Sequence, residues 1–229
     1  MKRFYKQVSC VGDAKYSVLL DGKPVKTPLR AKLALPTHAL GEAVAEEWRA
    51  QGGDILPHTM PLTKLANTAI DRVAGHKAEI VEKVLAYTND HLCYRAEGPQ
   101  ELVARQNEEW NPLLDWTKER FGTRLKTAAG VKHIAQSQDA VAAFRRALAA
   151  YDPFVLTAVH GAATICGSLV LALALAEDRL DADEAFMLSQ LDERYQAEKW
   201  GQDAQAAARG RALAAELTAA ARFMKLARE

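Results

Sequence analysis

The sequence is short of the features that mark most enzymes and nucleic-acid binders. Its 30 basic and 29 acidic side chains leave a formal charge of +1 over 229 residues. So even a balance creates no field to gather a polyanion, which argues against a dedicated nucleic-acid partner. Cysteine is scarce. Cys10, Cys93 and Cys166 stand far apart with no C-x-x-C pair, so neither a zinc ribbon nor a redox dithiol is indicated. They read as three reduced thiols in a reducing compartment. No P-loop, G-x-G-x-x-G, G-x-S-x-G or H-E-x-x-H string is present, so no cofactor is expected and any work done here runs without ATP. The histidines include no i, i+4 pair, and no metal site is expected. Neither a low-complexity linker nor an internal repeat divides the chain.

The opening residues, Met1 to Lys6, contain no apolar run of the secretory kind and no long Arg/Ser-rich lead of the mitochondrial kind. The expectation is a bacterial cytoplasmic protein, or a mitochondrial matrix protein whose presequence has been removed.

Hydrophobic residues at 49% are enough to build a real core. The first 36 residues read as strands. Tyr16–Leu20, Asp21-Gly22 and Lys23–Thr27 form a hairpin, with Asp-Gly supplying a positive-φ turn, and Lys32–Leu35 is another short alternating run. Thr37 then caps a helix whose Leu40, Val44, Trp48 and Gln51 share one stripe. That stripe makes Trp48 structural. Pro61 opens a second helix with Leu62, Leu65, Ala66, Ala69, Ile70 and Val73 on one face, ended by Gly75. Beyond it the pattern is almost wholly helical: His76 to Asn89, then Pro99 to Trp110, a break or kink at Asn111-Pro112, and Leu113 to Phe121. Trp110, at the end of an apolar stripe, is a second structural tryptophan. Further helices run from Ser137 to Ala150, from Phe154, from about Asp181 to Lys199, and from Asp203 to Arg228. The fold class is therefore α+β: a small β-rich domain with one or two helices over 1–75, then a larger multihelical, orthogonal-bundle-like domain over 76–229.

Phe154–Ala176 contains no Asp, Glu, Lys or Arg and is long enough to cross a bilayer. Its Thr157, His160, Gly161, Thr164, Gly167 and Ser168, and its many alanines, instead suit one helix at the centre of the helical domain. The protein is accordingly expected to be a soluble monomer, and a membrane-anchored adaptor is the alternative this segment offers. His91 and Cys93, two apart, would share a face of a strand as a Cys–His pair, but no nucleophile signature surrounds them. The carboxylates Asp71, Asp90, Asp192, Glu193 and Glu198 leave a small-molecule enzyme as the other alternative. Sequence does not bring them together, and no catalytic residue is assigned.

The most informative segment is Ala185 to Gly201. On a continuous helix Met187, Leu188, Leu191 and Tyr195 cluster within about a quarter of the circumference, facing a core, and Glu198 falls in the same arc. A carboxylate there needs a donor such as Arg, or a half-exposed position beside a groove. Opposite lie Phe186, Glu193 and Trp200, seven apart: aromatic, acid, aromatic. That stripe suits a docking surface, since aromatics with a flanking charge favour interfaces. It also suits packing against a neighbouring helix of the same domain.

These blocks carry a resemblance. Arg3-Phe4-Tyr5-Lys6, Leu20-Asp21-Gly22-Lys23 with Lys26-Thr27-Pro28, Glu46-Glu47-Trp48-x-x-Gln51, Met60-Pro61-Leu62-Thr63-x-Leu65-Ala66-x-Thr68-Ala69-x-Asp71, Leu92-Cys93-Tyr94-Arg95, Trp110-x-Pro112-Leu113 and Glu193-x-Tyr195-Gln196-x-Glu198-x-Trp200-Gly201 stand in one order. In that order the chain resembles the assembly chaperones of the ATP synthase F-one sector over nearly its full length. Only His91 and Gln202 depart noticeably. The resemblance implies a non-enzymatic, ATP-independent chaperone that binds the unassembled alpha subunit and prevents its aggregation until a beta subunit replaces it. It places the critical acid in the Tyr-Gln block, at Glu193 or Glu198, with Phe186, Tyr195 and Trp200 as the accompanying partner-binding residues.

Overall fold

Apolar alternation makes Tyr16–Leu20 (β2) the central strand of the N-terminal sheet. In the computed structural model, which describes residues 1–201 and 203–229, β1 (Val8–Gly12) pairs antiparallel with β2 from Val8↔Leu20 to Gly12↔Tyr16. On its other side β2 meets β3 (Lys23–Pro24) and β4 (Ala34–Leu35), leaving β1 as an edge. Asp21 and Gly22 have φ of 47° and 78°, the turn that Asp-Gly favours. The Asp21 carboxylate also accepts the N–H groups of Lys6 and Gln7, at 3.0 and 2.8 Å.

Helix α1 (His38–Arg49) starts where the Thr37 hydroxyl accepts the Leu40 N–H at 3.1 Å, and it buries Leu40 and Val44. Trp48 is half-buried against the cluster of Tyr5, Leu20, Ile55 and Met60. Tyr5 donates its hydroxyl to the Trp48 carbonyl at 2.7 Å. The Trp48 indole N–H is buried with no acceptor among the described residues. Pro61 occupies the first turn of α2 (Pro61–Thr68), and the helix continues through a π-turn at Ala69–Val73. The Glu47 carboxylate accepts the free N–H groups of Leu62 and Thr63 at 2.7 and 2.8 Å, the satisfaction a helix start requires. Asp71 likewise takes the Thr27 hydroxyl at 2.6 Å and the Leu29 N–H at 3.1 Å. The family blocks of this half are thus the places where a carboxylate from one segment satisfies the backbone of another.

The chain divides into two compact units. The first is Met1–Lys77 with Asp152–Ala158 and Ala219–Glu229. The last segment joins it through the Thr37 hydroxyl, which donates to the Leu226 carbonyl, and the stacked rings of Phe154 and Phe223 tie the two late segments together. The second is Ala78–Tyr151 with Val159–Thr218. From α3 (Lys77–Leu85) onward the chain is mostly helical, apart from the two-residue parallel pair of β5 (Tyr94–Arg95) and β6 (Ala128–Ala129). The helices are α4 (Gln100–Phe121), α5 (Gln138–Ala150), α6 (Pro153–Cys166), α7 (Leu169–Ala176), α8 (Ala182–Ser189), α9 (Leu191–Trp200) and α10 (Ala204–Leu226). Strands concentrated at the N-terminus followed by helices make the fold α+β.

Three helical expectations are corrected. Pro112 does not break α4, which runs unbroken through it. Pro112 and Glu108 are both exposed, so the Glu108 carbonyl left without its helical donor can be hydrated. The uncharged stretch is not one helix over Phe154–Ala176. Gly167 takes φ of 62° and Ser168 caps a new helix, α7, every residue of which is buried. Among the described residues no helix is long and apolar enough to cross a membrane. Asp181–Lys199 is also two helices, with the turn at Gln190. The departure from the family at Gln202 lies outside the described residues.

A candidate docking groove on the helical unit

Two buried polar anchors fix the framework of this unit. Asp90 is fully buried and accepts the N–H groups of Leu92 and Val170 and the hydroxyl of Ser168 at 2.9–3.0 Å, capping α7. Burial pushes its pKa up to about 6, against the lowering effect of those donors. Arg95, also buried, donates to the Gln106 carbonyl at 2.5 Å and to Asn111 Oδ1 at 3.0 Å. Gln106 accepts the Ala96 N–H and donates to Asp192 at 2.7 Å, which sets the first turn of α9. Trp110, wholly buried, donates its indole N–H to the Leu188 carbonyl at 3.0 Å, with Arg95 over its ring and His91 at its edge. Cys93 is buried, and desolvation pushes its thiol up to about 12; Cys166 is pushed up to about 12 for the same reason. Neither is a nucleophile near neutral pH.

On this framework α9 presents two unlike faces. Toward α4 lie Tyr195 and Glu198. Tyr195 is 3% exposed, its hydroxyl donating to Glu101 at 3.3 Å, and Arg105 and Lys199 lie over its ring. Glu198 accepts from Arg105 at 2.9 Å and Lys199 pairs with Glu101 at 2.8 Å. Arg105 is the donor that the arc position of Glu198 demanded, and the carboxylate is roughly half exposed. The arc of Leu191, Tyr195 and Glu198 holds along α9. The turn at Gln190 offsets α8 from it, and Met187, expected in the core, is 45% exposed.

The other face of α9, with α8 and the first half of α10, walls an open groove of about 580 Å³. Phe186, Glu193 and Trp200 all line it, joined by Met187 and by Arg194 and Arg211. Ala206, Ala207, Gly210 and Ala214 form its α10 wall, small enough that the Phe186 ring lies against Gly210. Trp200 is 76% exposed, and the Glu193 carboxylate has no hydrogen-bond partner among the described residues. Exposed aromatic surface beside an unpaired acid, on a wall of small residues, is chemistry suited to a protein partner. The five residues singled out in the sequence are therefore separated. Phe186, Glu193 and Trp200 share the groove, whereas Tyr195 and Glu198 serve the contact with α4. The groove's Met187 was expected in the core, and its Arg211, with the pairing residues Glu101 and Arg105, was not singled out. Arg105 and Glu198 are 93 positions apart, a separation that no local pattern signals.

Comparison with known proteins gives a consistent result. A family model described as ATP12 chaperone protein matches residues 2–118. The mitochondrial protein atp12 of Schizosaccharomyces pombe is 25% identical over 214 residues, covering 87% of this chain and 74% of its own length. The crystal structure of Atp12 from Paracoccus denitrificans superposes with a TM-score of 0.95 at 39% identity, over 99% of this chain and 98% of that one. A mutant of the same P. denitrificans protein matches equally well, at a TM-score of 0.95.

Proposed function

This chain belongs to the ATP12 family of chaperones for ATP synthase assembly, and from that membership we propose that it binds the unassembled alpha subunit and prevents its aggregation until a beta subunit takes its place. A subunit of an obligate ring exposes large apolar interfaces before assembly, and these are aggregation surfaces. A temporary partner must cover them without ATP and then yield. The observation that carries the reading is the groove, where Trp200 and Glu193, unpaired among the described residues, face solvent beside the half-buried Phe186. Aromatic residues anchor the client, and Glu193 sets its register through a complementary cation. The protein acts as a monomer, one chaperone to one client.

The test mixes the purified protein with isolated alpha subunit, and separately with isolated beta subunit, and follows light scattering and co-elution. Protection of alpha alone, in a one-to-one complex, is the expected result. Glu193→Lys should keep the circular dichroism of the wild type and lose protection. If Glu193→Lys protects normally, the client sits elsewhere on the molecule.

A further inference from the structure

We propose that Cys10, His38 and Glu42 form a zinc-class metal site that clips β1 to α1. His38 and Glu42 stand one turn apart on α1, i and i+4, so both project from the same face. Cys10 comes to that face from the middle of β1, opposite Val18 of the central strand. Their candidate ligand atoms, a thiol sulfur, an imidazole nitrogen and a carboxylate oxygen, all lie within 4.8 Å of one another. Ligand atoms around a tetrahedral zinc ion stand roughly 3.5 Å apart, so closure requires about 1 Å of side-chain movement. His38 is exposed and free to supply that movement.

The surroundings are built for this approach. A methyl group at Gly41 would lie 2.6 Å from the Cys10 sulfur, so the thiol reaches α1 only because residue 41 has no side chain. Arg49 holds Glu42 from outside, its two terminal nitrogens each 3.0 Å from Oε2. Oε1 has no partner among the described residues and is the oxygen left to ligate. A carboxylate ligand steadied by its own hydrogen bonds is the usual arrangement around a protein-bound metal. The Tyr16 ring packs edge-on against the His38 imidazole, with ring centroids 5.3 Å apart. One thiolate, one imidazole and one carboxylate favour zinc over calcium or magnesium, with solvent in the fourth position. On binding, the thiol proton leaves to bulk water and the thiolate takes the metal. The consequence is mechanical: β1 is an edge strand, and the metal holds it to α1.

Cobalt(II) serves as the probe, added to the full chain under reducing conditions and then displaced by zinc. The expected result is one equivalent bound, with tetrahedral visible bands and a thiolate-to-cobalt charge-transfer absorption. Cys93 and Cys166 are buried, so that absorption reports Cys10. Cys10→Ser should abolish it, and His38→Ala and Glu42→Gln should each weaken affinity at least tenfold. Zinc should raise the melting temperature of the wild type and leave that of Cys10→Ser unchanged. Absence of the charge-transfer band overturns the proposal. So does a band that survives both His38→Ala and Glu42→Gln at full affinity, which would mean that the thiol binds metal without its neighbours.

Discussion

The two faces of α9 carry similar side chains in opposite conditions. Toward α4, an aromatic and an acid are fully engaged: Tyr195 is buried, and Glu198 and Lys199 both have ionic partners. Toward the groove, an aromatic and an acid are left free, with Trp200 mostly exposed and Glu193 unpaired among the described residues. In sequence the four residues look alike, interleaved within eight positions. What separates them is whether the fold has already used their bonding capacity. Saturated groups contribute to stability, and unsaturated ones are available to a partner.

The sharpest way to break this contrast is to remove Tyr195. Tyr195→Ala should cost about 3 kcal/mol, lowering the melting temperature by roughly 6–12 °C in circular dichroism. An unchanged melt would mean that the α4 side holds nothing. Trp200→Ala should do the reverse. The loss of a groove anchor weakens client binding by about 2 kcal/mol, roughly thirtyfold. The melting temperature should stay within about 2 °C, as for other surface changes. Titration of labelled alpha subunit, with a melt on the same sample, reads both. Glu198→Lys should give a smaller effect still, a slight fall in melting temperature that added salt diminishes, with protection of the alpha subunit retained. If protection is lost while the melt is unchanged, the client binds the α4 face and the contrast is inverted.

A third acid calibrates the comparison, because Asp90 is saturated and buried at once. Its folded pKa of about 6 lies above its ordinary value, so the native state holds its proton more tightly than the unfolded chain does. The stability from that group is therefore fully present below pH about 4 and is lost as pH rises through about 6, after which it is level. Carboxyl-carbon NMR should show the Asp90 side chain titrating near 6.

Much of this was legible beforehand, where local chemistry decides the structure. Thr37 caps, Asp21-Gly22 turns, Pro61 starts a helix, and Leu40, Val44 and Trp48 share a stripe because each outcome depends on a few adjacent residues. The helix breaks were not legible to the same degree. Gln190 carries no breaker chemistry, yet the chain turns there, so periodicity carried across it put Met187 inside. Gly167 and Ser168 did offer a breaker and a cap, but the absence of charge around them suggested continuity. Groupings across distance, such as Arg105 with Glu198, or Cys10 with His38 and Glu42, arise only once the fold exists.

The segment Ala219–Glu229 ties distant parts of the sequence into one folding unit. It supplies Phe223 and Met224 to the interior of the unit that also holds Met1–Lys77, and the Leu226 carbonyl to the Thr37 hydroxyl at the start of α1, 189 positions away. Closing a loop of that length costs chain entropy before any packing repays it, so this unit gathers its last contacts late in folding.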